Sequence, residues 1–186
     1  LLNLFQEPPR PCTYLPEEQA SLEHRFMVDV TAEELEALLL RGFRRFGPNY
    51  FRPKCDPCGK CLSTRVSTAL FRPNQSQKRA RKRCSSLDIS VGVPAFDEER
   101  LALYHRWHEN REAARQWDES SLSERAYRLQ FAYPHPAARE ITFRESDTGR
   151  LVGVALSDQM PRAWSAIYFF YCNRKFGFKG SSTNRI

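Results

Sequence analysis

Apolar positions change their spacing along the chain, and each change marks an element. Leu35, Leu38 and Leu39 fall at helical spacing. Thr31 and Glu34 make a capping-box pair ahead of them, and Gly42 suits the left-handed stop, which predicts a helix between. Residues 49–53 read as a short extended piece that leads into a cysteine loop. Farther on, Ile89, Val91 and Val93 alternate with Asp88, Ser90 and Gly92, the period of a half-buried strand, and Pro94 ends it. Asp97 is placed to cap a second helix whose Leu101, Tyr104, Trp107 and His108 share a face, and Ser121 with Glu124 opens a short third one. Residues 140–145, 151–158 and 165–171 then alternate as strands, separated by turns at Asp147-Thr148-Gly149 and Met160-Pro161. Helices followed by a β-meander predict an α+β fold. No internal repeat or low-complexity tract interrupts it.

The 186 residues suffice for one good core or two small ones. The longest apolar stretch, residues 163–172, is about half of the ~20 residues that a membrane helix requires. The opening Leu1-Leu2-Asn3-Leu4-Phe5 has no basic lead, so the expectation is a soluble, untargeted, cytoplasmic protein, read as a monomer without a membrane partner. Residues 1–11 carry three prolines and little periodicity, and are expected to be a mobile lead-in.

Charge sharpens this picture. Lysine plus arginine number 29 against 22 acids, a net charge of +7. Residues 59–87 contain no acid at all, yet they hold Lys60, Arg65, Arg72, Lys78, Arg79, Arg81, Lys82 and Arg83. Nucleic acid is therefore the first partner to consider. On a helix beginning near Ser76, the side chains of Lys78, Arg79, Lys82 and Arg83 would present one cationic surface to a phosphate backbone, the alternative being a solvated basic face.

The cysteines are Cys12, Cys55, Cys58, Cys61, Cys84 and Cys172. In Cys55-Asp56-Pro57-Cys58-Gly59-Lys60-Cys61, two-residue gaps let successive thiolates turn onto one zinc ion or iron–sulfur cluster, and Lys60 would favour the thiolate form. Cys12 is the better candidate for a fourth ligand and Cys84 the second. A set of metal-free thiols is the alternative. Tyr168-Phe169-Phe170-Tyr171 reads by itself as core filling, and His105 and His108 read as exposed helix decoration.

Three N-terminal segments together resemble one family. They are Cys12-Thr13-Tyr14-Leu15-Pro16; then Arg41-Gly42-Phe43-Arg44-Arg45-Phe46-Gly47 through Phe51-Arg52-Pro53 to the cysteine loop and Arg65-Val66; then Phe71-Arg72-Pro73 to Arg83. Order and spacing are similar to the N-terminal domain of the bacterial aspartate/glutamate leucyltransferases and their arginyltransferase cousins. Gly149-Arg150-Leu151-Val152-Gly153-Val154-Ala155-Leu156-Ser157-Asp158, Met160-Pro161 and Ser165-Ala166-Ile167-Tyr168-Phe169-Phe170-Tyr171 resemble the C-terminal domain of that family.

The resemblance implies a GNAT-like sheet, related to the N-acetyltransferases, with flanking helices and a small Cys-containing module before it. The corresponding domains are residues 12–86 and 87–171, the second incomplete, with a divergent tail over 172–186. It also implies transfer of leucine or arginine from an aminoacyl-tRNA to proteins that begin with Asp or Glu, which marks them for degradation. On that reading Arg72, Gln77, Lys78, Arg79, Lys82 and Arg83 hold the tRNA, and Asp158 orients or deprotonates the incoming amine. Tyr168 and Tyr171 line the crevice, Arg44 or Arg45 meets the acidic acceptor side chain, and Cys12, Cys55, Cys58 and Cys61 take the metal or cluster. After Tyr171 the relatives continue with Asp-Pro, a helix and a further strand, whereas Cys172-Asn173-Arg174-Lys175 onward departs, as a shifted reading frame or a truncated form would. The rival readings are an acyl-CoA N-acetyltransferase, for which Arg174-Lys175-Phe176-Gly177 begins a pyrophosphate loop, and a non-catalytic RNA-binding metalloprotein.

Overall fold

The computed structural model describes residues 1–115 and 121–172. The tail and its pyrophosphate-like loop lie outside them. In the first half, β1 (Asn3–Gln6), β2 (Arg10–Pro11), β3 (Gln19–Ala20) and β4 (Leu22–Phe26) precede α1 (Ala32–Leu40), β5 (Arg44–Phe46) and β6 (Asn49–Pro53). Four of the strands form an antiparallel sheet in the order β1-β4-β6-β5, and β2 with β3 makes a separate ribbon. Thr31 and Glu34 close the capping box on α1, and Gly42 follows at φ +83°. Leu35 of that helix packs with Val30, Phe43 and Tyr50, and also with Ala137 and Met160 from the second half of the chain, so one core ties the halves together.

The lead-in is a correction. Residues 3–6 pair with β4 from Asn3↔Phe26 to Gln6↔Glu23, with the Phe5 ring stacked 4.9 Å from that of His24. Every β1 side chain is exposed, so the strand has no apolar alternation to betray it. Backbone pairing holds it.

The second half runs α2 (Gln75–Arg83), β7 (Leu87–Gly92), α3 (Glu98–Arg115), α4 (Glu124–Gln130), β8 (Ala138–Glu145), β9 (Leu151–Gln159) and β10 (Trp164–Tyr171). The four strands form an antiparallel sheet in the order β10-β9-β8-β7. α3 lies against β9 and β10, where Leu103, Tyr104 and Trp107 pack with Val154, Leu156 and Phe170. α4 is capped by Ser123, whose hydroxyl accepts from Ala126 N at 3.2 Å, two residues later than Ser121. The architecture is α+β with antiparallel sheets, as expected. Among the described residues no helix is long and apolar enough to cross a membrane.

His105 and His108 are not decoration. His108 is buried, its Nε2 2.9 Å from the Tyr168 hydroxyl and its Nδ1 3.3 Å from Glu112 Oε1. His105 Nε2 stands 2.9 Å from the Leu122 carbonyl. Burial lowers the His108 pKa, with Glu112 working against that. A helix face that reads as amphipathic thus carries a polar seam into the core.

Candidate functional site

The site is built where β5 of the first sheet meets β9 and β10 of the second. Arg45 and Asp158 face each other there, both almost fully buried. The guanidinium grips both carboxylate oxygens, Nε to Oδ2 at 3.2 Å and Nη2 to Oδ1, while Nη1 donates to the Gly47 carbonyl at 3.1 Å. A bidentate pair of this kind is the strong form of ion pair, and each charge would be costly to bury alone. Around it, Tyr50 has its pKa pushed up to about 12, chiefly by burial. His135 is pushed down to about 4, first by burial and then by the Arg45 charge. Its Nδ1 accepts from Ala137 N at 3.0 Å, and its Nε2 is buried without a partner. The neighbourhood favours neutral side chains beside one fixed ion pair.

A crevice opens beside the pair, lined by Arg45, Gly47, Pro94, Gln130, Phe131, Ala138, Arg139, Leu156, Ser157 and Ile167. Two features of the backbone shape it. Between Ala166 and Tyr168 the β9–β10 register skips a residue, a bulge that leaves Ile167 without a strand partner and aims it at the crevice. Gly47 sits at φ +55°, and a Cβ there would come within 2.0 Å of the Leu129 carbonyl oxygen at the end of α4. Only glycine lets the β5–β6 turn approach that helix so closely.

The predicted catalytic residues are placed differently from the expectation. Asp158 is engaged by Arg45 and is not among the residues that line the crevice. Tyr168 and Tyr171 do not line it either. Tyr168 packs against Phe131, its hydroxyl is hydrogen-bonded with His108 Nε2, and burial raises its pKa. Tyr171 is buried, its hydroxyl 3.1 Å from Arg111 Nη2. For Tyr168 the physical reason is the pleat, which puts it with Phe170 on the face that α3 covers. The structure does bring Arg45 to Asp158 across 113 residues of sequence, whereas Arg44, the residue before it, is exposed. Arg139, Phe131 and Ile167 escaped the sequence reading. The Ile167 bulge is hard to see by any pattern, because a bulge breaks the period that reveals strands.

The basic arm is as exposed as its composition implies. Residues 59–83 contain no buried or half-buried side chain. α2 begins with Asn74 and Gln77 capping one another, so the Gln77 amide oxygen is spent on Asn74 N at 2.8 Å. Arg72 Nη1 donates to the Ala69 and Phe71 carbonyls, at 3.2 and 3.0 Å. Lys78, Arg79, Lys82 and Arg83 all lie on this exposed helix.

The thiols gather in part. Burial raises the Cys61 pKa, and the nearby Cys55, Cys12 and Cys58 add to it, with Arg44 opposing. Cys84 sits apart at the end of α2, with Arg83 as its charged neighbour. Lys60 donates to Glu18 at 2.9 Å. Among the described residues, no three His, Cys, Asp or Glu side chains are already arranged around one point as metal ligands would be.

A family model described as "Arginine-tRNA-protein transferase, N terminus" matches residues 10–79, and one described as "Arginine-tRNA-protein transferase, C terminus" matches residues 99–178. The chain is 37% identical over 173 residues to an aspartate/glutamate leucyltransferase of Pseudomonas fluorescens (strain Pf0-1), covering 91% of this chain and 71% of the relative. An aspartate/glutamate leucyltransferase of Pseudomonas aeruginosa (strain LESB58) is 35% identical over 171 residues, with the same shares covered. Both family halves match in order, and they meet at the Arg45–Asp158 junction: the chain belongs to the arginine-tRNA-protein transferase family.

Proposed function

We propose that this chain transfers an aminoacyl group, leucyl or arginyl, from a charged tRNA to the α-amine of proteins that begin with Asp or Glu, a tag for degradation. The observation that carries the reading is the ordered match of both halves to one transferase family, with relatives named for transfer of leucine to aspartate or glutamate. We read the β7–β10 sheet as related to the N-acetyltransferases, and the protein as a cytoplasmic monomer.

The reaction asks for placement more than for acid–base power. The α-amine attacks the ester carbonyl, an amide bond forms, the ester C–O bond breaks, and the ribose hydroxyl leaves with the proton that the amine gives up. The ester is already activated, and an α-amine of pKa about 7.7–8.0 is partly free base at neutral pH. Juxtaposing the two supplies much of the acceleration. The exposed helix α2 is suited to the tRNA backbone, through Lys78, Arg79, Lys82 and Arg83, with Arg72 at its approach. Phe131, Leu156 and Ile167 give the crevice an apolar wall. Asp158, held by Arg45, positions β9 against β5.

Incubation of the full chain with tRNA charged separately with leucine and with arginine, plus an Asp-starting peptide, tests the reading by mass spectrometry. Gain of one amino acid from one of the two tRNAs is expected. Equal binding of charged and uncharged tRNA with no transfer would favour an RNA-binding role instead.

A further inference from the structure

Transfer confined to Asp- or Glu-starting proteins requires a cation that recognises the acceptor carboxylate, and Arg45 is committed to Asp158. The guanidinium groups of the sheets are otherwise largely spoken for by acids. Arg25 and Arg52 share Glu23, Arg100 holds Glu140, Arg144 holds Glu99, and Arg150 holds Glu145. Arg139 differs. It lines the crevice, and among the described residues it has no carboxylate partner.

The reason lies in the strand. Arg139 and Glu140 are adjacent in β8, so the pleat sends them to opposite faces, and Glu140 turns inward to Arg100 of α3 at 2.6 Å. Arg139 is left on the other face. Its Nη1 donates to the carbonyls of Ala138 at 2.7 Å and Pro136 at 3.0 Å, and its Nε donates to the Gln159 amide oxygen at 3.0 Å. These three neutral acceptors fix the plane of the guanidinium, and Arg139 and Ala138 are both among the residues that line the crevice. The Nη2 amino group makes no hydrogen bond among the described residues, so its N–H bonds and an uncompensated positive charge stay available. A fixed, half-satisfied fork beside a cleft is suited to a carboxylate.

We infer that Arg139 is the specificity-determining residue that binds the side-chain carboxylate of the acceptor's first residue. The inference rests on the transferase reading for the identity of the acceptor, but binding tests it independently of transfer. Dye-labelled peptides that differ only in beginning with Asp or Asn, and with Glu or Gln, are titrated against the full chain by fluorescence anisotropy. The same titrations are made with Arg139→Gln and Arg139→Lys, each checked for unchanged thermal unfolding.

The wild type should prefer the acidic peptide by about 10- to 100-fold, the range of a hydrogen bond to a charged group. Arg139→Gln should bring that ratio close to one by weakening the acidic peptides alone, and Arg139→Lys should recover part of it. A ratio that survives Arg139→Gln, or a wild type without preference, overturns the inference. A wild type that shows the preference and loses it in Arg139→Gln, yet transfers no amino acid, sustains the inference and refutes the transferase reading.

Discussion

Arg45 and Asp158 meet as a buried bidentate pair across 113 residues, one on an edge strand of the first sheet and the other near the end of β9. Because both charges are shut away from water, the pair acts as a latch whose halves are each harmful alone. Asp158→Leu or Arg45→Met should destabilise the protein by about 3–5 kcal/mol, whereas the double variant Arg45→Met/Asp158→Leu should recover much of that loss. Urea denaturation of the three proteins checks this. Additive losses would mean that the two residues do not act as a unit.

His135 makes stability depend on pH. Its folded pKa of about 4 lies below the ordinary histidine value of 6.5, so the unfolded chain binds more protons between those values. Stability is therefore whole above pH 6.5 and falls as the pH drops towards 4, by up to about 3 kcal/mol. His135→Gln should flatten this part of the curve, read as the denaturation midpoint at several pH values.

At Gly47 the requirement is spatial as well as conformational. Gly47→Ala places a methyl group 2.0 Å from the Leu129 carbonyl oxygen at a φ of +55°. It should cost at least about 1–3 kcal/mol and push α4 from the crevice. Thermal unfolding, together with peptide binding at the crevice, would show both effects.

On α2 the expected effect is electrostatic and sequence-independent. Replacing Lys78, Arg79, Lys82 and Arg83 with alanine should weaken tRNA binding and reduce the salt dependence, each lost phosphate contact lowering the slope of log K against log salt by about 0.7–0.9. Thermal stability should hardly change, since no residue of this helix is buried. An unchanged slope would place the RNA elsewhere.

Much of this fold was legible because its signals are local. The Thr31/Glu34 box, the 49–53 strand and the terminal meander all appear where periodicity and turn residues put them. What was hidden depends on tertiary partners. β1 is exposed on every side chain, so only its hydrogen bonding to β4 defines it. For Tyr168 and Asp158 a strand pattern does not say which face meets α3 or that Arg45 arrives from the other sheet. Arg139 was invisible for a related reason: its neighbour Glu140 looks like a partner in sequence and lies on the opposite face in space.

The most direct test is the intact mass of a Glu-starting peptide after incubation with the full chain and leucyl-tRNA or arginyl-tRNA, beside a matched Ala-starting peptide. The account predicts that one of the two tRNAs adds a single residue to the acidic peptide and none to the alanine peptide. No addition from either tRNA, or equal addition to both peptides, would contradict it.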